Sequence, residues 1–132
     1  MKIVALKENH LFGKAYSKGK KYVAKTVSVY VLRDFAAQKI RKNLMLDRNV
    51  NRYGISTSKK IGGAVQRNRA RRVVKAGLCS VLEKYDVRGG NLVVLSVRGA
   101  AVDLKSTDAE KDILAAFTHL RLIASSENEQ AQ

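Results

Sequence analysis

The chain has 132 residues, of which 45% are hydrophobic, and a net charge of +15 at pH 7. This length predicts one domain with enough apolar content for a core, and the charge favours nucleic acid or another anionic surface as partner. No apolar run approaches the roughly 18–20 residues that span a bilayer. A lone cysteine, Cys79, excludes an intramolecular disulfide and a multi-cysteine zinc site. No signal peptide is visible, so we expect a cytoplasmic protein without a membrane partner.

The positive charge is concentrated in the first two thirds of the chain. Residues 1–82 contain 20 lysines and arginines and three acids, a net charge of +17. Residues 83–132 contain six basic and eight acidic residues, a net charge of −2. This asymmetry predicts a body that binds a polyanion and a solvated C-terminal flank.

The first predicted element is a short helix that begins at Asn9 or His10 and ends at Ser17, with Asn9 as a candidate N-cap. Its aromatic residues, Phe12 and Tyr16, are either core residues or, beside a basic surface, residues that stack on bases. Residues 22–33 then alternate in the manner of a strand, with valines on the face that should meet the helices. Tyr30 lies on the other face, where it is either an ordinary half-exposed tyrosine or a ligand contact.

Residues 34–50 are basic and interrupted by an apolar triplet, which favours a long solvated loop. The following strand covers residues 51–58. Gly54 within it indicates a bulge or a close backbone approach. Gly62 and Gly63 mark the turn into the main helix, which runs from Gly63 or Ala64 to Tyr85.

The main helix is amphipathic on a helical wheel. Its predicted inner face contains Ala70, Val73, Val74, Leu78, Val81, Leu82 and Tyr85. The opposite face contains Asn68, Arg71, Arg72 and Lys75, with Arg67 at its edge, while Arg69 points elsewhere. The cations lie near the N-terminal end, where the helix dipole also favours phosphate.

The last third of the chain predicts one strand and one helix. Residues 92–97 form an apolar run typical of a strand buried on both faces. Residues 107–110 match a capping box that opens a helix with an apolar inner face, formed by Ala109, Ile113, Ala116, Phe117 and Leu120. From Ser125 onward we expect a polar, frayed tail.

No arrangement of residues in the sequence indicates self-contained catalysis. The two histidines, His10 and His119, lie in separate elements, and the acidic residues of the C-terminal flank are explained by helix capping. Gly62 and Gly63 lack the frame of a phosphate-binding loop. A nuclease would need an acid/base pair or a metal cluster, so we expect no catalytic residue in this chain.

One run of residues is specific to a family. Ser58-Lys59-Lys60-Ile61-Gly62, followed by Ala64-Val65-Gln66-Arg67-Asn68-Arg69, resembles the S-K-K-x-G-x-A-V-x-R-N-R signature of the bacterial ribonuclease P protein subunit. The resemblance extends over most of the chain, leaving out only residues 34–50 and the tail. A ribosomal or general RNA-chaperone protein is the alternative, since charge and a basic helix fit it equally. Such a protein has no reason to contain the signature run.

The resemblance implies an α+β fold: a single αβββαβα sandwich over residues 1–124, with a rare left-handed βαβ crossover. The extra strand of this order would come from a division of residues 22–33 or from residues 20–24. Residues 125–132 are expected to form a flexible tail outside the domain. It implies removal of the 5′ leader of precursor tRNA by a catalytic RNA subunit that requires Mg²⁺. The expected partners are therefore that RNA and precursor tRNA, with no obligate protein partner and no metal bound by the protein itself.

The resemblance also implies two sets of RNA-binding residues. The cleft for the precursor-tRNA leader would contain Phe12, Tyr16, Tyr30, Arg67, Asn68, Arg71, Arg72 and Lys75. Contact with the catalytic RNA would involve Lys59, Lys60, Arg67, Asn68 and Arg69. Tyr16 stands where phenylalanine is common, and Lys75 where arginine is common, which keeps the charge but loses the planar donor fork.

Overall fold

The computed structural model describes residues 4–123. The elements in chain order are β1 (Val4–Ala5), α1 (Asn9–Lys18), β2 (Lys20–Val23), β3 (Val27–Arg33), α2 (Ala37–Asn43), β4 (Arg52–Ser56), α3 (Ala64–Lys84), β5 (Asn91–Val97) and α4 (Ser106–His119). Two 3-10 helices, Lys59–Ile61 and Gly99–Val102, flank the long helix α3 and strand β5. This is the predicted αβββαβα order with β1 and α2 in addition.

The five strands form one mixed sheet in the order β1-β4-β5-β3-β2. Strands β1 and β4 are parallel to their neighbours β4 and β5, whereas β5 with β3 and β3 with β2 are antiparallel. The apolar strand β5 lies in the middle and is buried on both faces, as its composition predicts. Helix α3 connects the parallel neighbours β4 and β5, and the left hand of this crossover stays a prediction.

Helices cover both faces of the sheet. Helices α3 and α4 bury the larger core against the valines of β3 and alternate residues of β5, as the strand pattern predicts. Helix α1 covers the other face, over a smaller cluster of Leu6, Ala15, Leu92 and Val94. Phe12 and Tyr30 pack at the edge of this smaller cluster and are half-buried.

The inner face of α3 is close to the prediction. Its buried residues are Ala70, Val74, Gly77, Leu78, Val81 and Leu82. Tyr85 was wrongly assigned to this face: the helix ends at Lys84, and Tyr85 is exposed as the C-cap residue. Gly77 was not predicted to be important, yet a Cβ there would lie 2.9 Å from the Cβ of Ala109. The missing side chain therefore allows α3 and α4 to approach closely.

Two segments differ from the predicted secondary structure. Residues 22–33 are not the single strand that their pattern predicts: β2 and β3 form a hairpin, and β2 is the extra strand that the αβββαβα order requires. Thr26 in the turn is fully buried. Its amide and hydroxyl both donate to the Asp112 carboxylate of α4, at 2.9 and 2.5 Å, which fastens the turn to that helix. Residues 34–50 are not wholly a loop, because α2 forms within them.

Both predicted helix caps are wrong in detail. Asn9 is the first residue of α1, and the N-cap position belongs to Glu8, which makes no side-chain capping bond. In α4 the helix begins at Ser106, and Asp108 accepts a bond from the Lys105 backbone amide at 2.9 Å. Thr107 therefore lies within the first turn instead of capping it. The tail predicted from Ser125 onward lies outside the described residues.

A largely buried ion pair connects three elements. Arg52 of β4 donates to both carboxylate oxygens of Asp34 at 2.7 and 2.9 Å, and to Glu8 at 2.8 Å. Only 2% of the Asp34 side chain and 11% of the Arg52 side chain are exposed. Hydrogen bonding to Asp34 raises the pKa of Arg52, and hydrogen bonding to Arg52 lowers the pKa of Glu8. The Glu8 contact therefore contributes its full stabilisation above the ordinary carboxyl pKa, and this contribution is lost as the pH falls through the lowered pKa of Glu8.

Candidate nucleic-acid interface

Strand β4 forms the floor of a groove between α1 and α3. Its residues alternate between the two faces of the sheet, so Gly54 and Ser56 face α1 while Ile55 faces the larger core. The ring of Phe12 covers Gly54, and an added Cβ would overlap that ring. No bulge interrupts the pairing of β4 with β5, and the close approach at Gly54 is made by the Phe12 side chain and not by another backbone.

Tyr16 and Tyr30 continue the aromatic surface beyond Phe12. The Tyr16 hydroxyl and the Ser56 Oγ are hydrogen-bonded at 2.6 Å. The Tyr16 ring packs edge-on against Tyr30, with ring centroids 4.9 Å apart and planes at 87°. Tyr16 is 41% exposed and Tyr30 is half-buried. Each ring therefore packs on the fold and keeps part of its surface exposed. Stacking of either ring on a base stays a prediction.

A stripe of three cations on α3 borders the groove. Arg67, Arg71 and Lys75 are four residues apart, so they lie on one side of the helix along about 12 Å. Arg71 donates to the backbone carbonyl of Ile55 at 2.6 Å, and Arg67 donates to the carbonyl of Gly62 at 2.9 Å. Because each guanidinium has five N–H donors, both arginines retain donors for a phosphate.

The groove itself has a volume of about 240 Å³. Apolar side chains and backbone form its floor, and Arg71 and Lys75 lie at its rim. The floor and walls are formed by Ala5, Leu6, Phe12, Tyr53, Gly54, Ile55 and Leu78. Burial raises the pKa of the Tyr53 phenol, so this residue stays neutral. An aromatic floor with a cationic rim is suited to single-stranded nucleic acid, because bases stack and phosphates pair with cations.

Asn68 and Arg72 form a second stripe on α3, turned outward from the groove. Both side chains are exposed. Neither makes a side-chain hydrogen bond within residues 4–123. The structure therefore brings Phe12, Arg71 and Lys75 into one groove, with Tyr16 and Tyr30 beside it, and leaves Arg67, Asn68 and Arg72 along the approach to it.

The second predicted set of residues lies around the N-terminal end of α3. Lys59 and Lys60 are exposed on the 3-10 helix, whose first turn Ser58 caps by accepting from the Lys60 amide at 3.2 Å. Gly62 follows with φ of +143°, a conformation that favours glycine. The signature run is thus a capped turn that leads into a basic helix.

Arg69 has a structural contact that the sequence did not predict. Its Nε donates to the carbonyl of Val102 at 2.8 Å, which fastens the second 3-10 helix to α3. Helical spacing correctly placed this side chain away from the basic face. A hydrogen bond to residues 33 positions away in sequence could not be predicted from that spacing.

Residues 4–123 contain neither a metal-binding cluster nor a membrane-spanning helix. No group of three or more His, Cys, Asp or Glu residues in that range lies close enough together to hold a metal ion. Within the same range, no helix combines the length and apolarity needed to cross a membrane.

Comparison with known proteins decides the family. The ribonuclease P family model matches residues 1–121. The chain belongs to the ribonuclease P protein family. It is 32% identical over 114 residues to the ribonuclease P protein component of Clostridium botulinum strain 657, covering 86% of this chain and 91% of the relative. It is also 32% identical over 109 residues to that of Clostridioides difficile strain 630, covering 82% and 83%.

The fold is similar to solved structures of the family. The ribonuclease P protein of Staphylococcus aureus superimposes with a TM-score of 0.68 at 22% identity, covering 92% of this chain and 99% of that one. The chain is accordingly the protein subunit of ribonuclease P, the accessory subunit of an endoribonuclease that acts with an RNA partner. None of these matches supports the ribosomal or RNA-chaperone alternative.

Proposed function

We propose that the groove between α1 and α3 binds the 5′ leader of precursor tRNA. One observation carries this proposal: Phe12, Arg71 and Tyr16 contact three consecutive residues of β4, which aligns an aromatic surface with a cationic helix edge. Bases would stack on the aromatic side, and phosphates would pair with the helix side. The proposed leader-binding residues are Phe12, Tyr16, Tyr30, Arg67, Asn68, Arg71, Arg72 and Lys75.

The catalytic RNA would meet the protein at the N-terminal end of α3. Its proposed contacts are Lys59, Lys60, Arg67, Asn68 and Arg69. These residues surround the positive end of the helix dipole, which adds to their attraction for phosphate. In this proposal the RNA subunit catalyses Mg²⁺-dependent cleavage in the cytoplasm, while the protein holds the substrate.

The protein alone is expected to cleave no precursor tRNA, whether or not Mg²⁺ is added. Together with its RNA partner and Mg²⁺, it should release the 5′ leader and yield mature tRNA. The measurement is a cleavage assay with end-labelled precursor, run with protein, RNA and the reconstituted complex. Cleavage at the mature 5′ end by RNA-free protein would contradict the proposed division of roles.

Removing the outer charges of α3 should make precursor binding less sensitive to salt. Each lost phosphate contact reduces the slope of log affinity against log salt by roughly 0.7 for single-stranded RNA. We expect this for Arg72→Ala and for Arg71→Ala, and a fall of roughly 1.4 for the double variant. Lys111→Ala, on exposed α4 surface, is the control and should leave the slope unchanged. An unchanged salt slope in the double variant would contradict the assignment of Arg71 and Arg72 to the leader site.

Replacing the aromatic rings should weaken binding of the leader specifically. Phe12→Leu and Tyr30→Leu keep apolar bulk but remove the stacking surface, which is worth about 1–3 kcal/mol per base. Precursor tRNA should therefore lose roughly tenfold in affinity for the reconstituted enzyme, whereas mature tRNA should lose little. Melting curves run alongside, because a large drop in melting temperature with unchanged discrimination would assign these rings to the core alone.

A further inference from the structure

A second basic groove lies where β3 ends and β5 begins. Its volume is about 430 Å³. Five cations and no acidic residue line it: Lys18, Lys20, Arg33, Arg88 and Arg121. The other lining residues are Val31, Leu32, Gly89, Asn91, Leu120 and Leu122. The cations come from α1, β2, β3 and the segments around β5 and α4, so the fold gathers them from distant parts of the sequence.

The charges of this groove are not neutralised by the protein itself. Within residues 4–123, none of its five cations forms a salt bridge. The two nearest acids in sequence have other partners, since Asp34 pairs with Arg52 and Asp86 pairs with Arg48. Five unpaired positive charges around one concavity repel one another and focus a positive potential that attracts a polyanion.

An exposed aromatic ring extends the groove. A neighbouring concavity of about 560 Å³ shares Arg33, Gly89 and Asn91 with the groove and is also lined by Phe35. The Phe35 ring is 80% exposed. The Lys14 Nζ lies 5.7 Å and the Arg33 guanidinium carbon 6.0 Å from its centroid, at the outer limit of a cation–π contact. The ring is thus bordered by cations and available for stacking.

This surface is distant from the basic end of α3. The second groove lies at the start of β5, where Arg33 pairs with Asn91. The basic end of α3 lies near the other end of β5, because Arg69 of α3 contacts the 3-10 helix that follows this strand. Seven residues of strand separate the two ends by about 20 Å. The second groove is therefore a separate surface from the RNA contact proposed at the basic end of α3.

We propose that this groove and Phe35 form a second contact with the ribonuclease P RNA. The RNA backbone would lie along Lys18, Lys20, Arg33, Arg88 and Arg121, with one unpaired base on Phe35. The RNA subunit is chosen because it is the partner that family membership assigns. The proposal does not depend on the leader assignment.

The test measures binding of the protein to ribonuclease P RNA from the same genome, without precursor tRNA, across a salt series. The charge variant is Arg33→Gln with Arg88→Gln. The control is Lys25→Gln with Lys111→Gln, which changes the net charge equally at exposed positions outside both grooves. We expect the salt slope to fall by roughly 1.4–1.8 for the groove variant and to stay unchanged for the control.

The ring is tested separately with two substitutions at one position. Phe35→Leu should weaken RNA binding roughly tenfold, whereas Phe35→Tyr should bind like the original chain, because tyrosine keeps the stacking face. Since the ring is exposed, neither change should alter the melting temperature. Equal binding by Phe35→Leu and Phe35→Tyr would overturn the stacking contact.

The RNA partner is identified by a second binding measurement. Precursor tRNA is titrated into reconstituted enzyme at protein concentrations that saturate the RNA. The groove variant should then bind precursor normally, while Arg71→Ala with Arg72→Ala should not. Loss of precursor affinity with unchanged affinity for the RNA subunit would overturn the proposed partner. An unchanged salt slope for both RNAs would show that the groove is only a solvated surface.

Discussion

Val74→Asp is expected to unfold the protein or leave it marginally stable. Val74 is fully buried on the inner face of α3, in the larger core against the sheet. A carboxylate there would have no cation or donor to pair with, and an uncompensated buried charge costs about 3–5 kcal/mol. That is a large share of the roughly 5–15 kcal/mol that stabilises a domain of ordinary size. Urea unfolding followed by circular dichroism measures the loss.

Val65→Asp is the matched control for this substitution. Val65 lies in the first turn of the same helix and is 78% exposed. An acid in this position interacts favourably with the helix dipole, by about 0.3–1 kcal/mol. The same chemical change should therefore leave the free energy of unfolding unchanged or slightly higher. Equal destabilisation by both substitutions would mean that helix propensity, and not burial, determines the effect.

Arg52→Ala is expected to destabilise the fold by about 3–5 kcal/mol. The substitution leaves the buried Asp34 carboxylate without its two-bond partner and removes the link to Glu8 at the start of α1. Because β4 is the floor of the groove proposed to bind the leader, displacement of α1 should also weaken precursor binding. Chemical unfolding and precursor titration measure the two effects.

Two comparison variants show whether the expected loss of stability in Arg52→Ala comes from the buried, unpaired carboxylate. Arg48→Ala breaks an ion pair with Asp86 at 3.1 Å, but both of its side chains are more than 70% exposed, so the expected loss is below about 1 kcal/mol. Combining Arg52→Met with Asp34→Asn removes both buried charges and should recover part of the stability. If the combined variant is no more stable than Arg52→Ala, the cost lies in lost packing and not in the unpaired carboxylate.

The local sequence pattern was sufficient to predict most helices and strands and the buried and exposed faces of α3. The period of about 3.6 residues placed Val74, Leu78 and Val81 in the core and Arg72 and Lys75 on the surface. The alternation of valines in β3 identified its buried face. The glycine at position 54 indicated a close approach to the backbone of β4, although not that the Phe12 ring makes it. These predictions succeeded because burial imposes the periodicity of each element directly on its sequence.

Contacts between distant segments could not be predicted in the same way. The bonds from Tyr16 to Ser56, from Arg71 to Ile55 and from Arg52 to Asp34 depend on how strands are ordered in the sheet. The second basic groove is another case, because its cations are spread from Lys18 to Arg121. Helix α2 was missed for a different reason: seven residues are too few for its periodicity to exceed that of a loop.

The edges of the sheet bear on how the protein behaves before it meets RNA. Strand β1 pairs only with Arg52 and Tyr53, so within residues 4–123 no strand covers the outer side of residues 54–56. An open edge is a template on which another copy of the chain could add a strand, a common route to aggregation. At this edge Arg71 donates a hydrogen bond to the Ile55 carbonyl, so that carbonyl already has a partner. At the other edge the exposed lysines of β2, Lys20 and Lys21, repel the same strand of another copy. Arg71 and Lys20, which are proposed to bind RNA, would thus also oppose the pairing of free copies of the protein with one another.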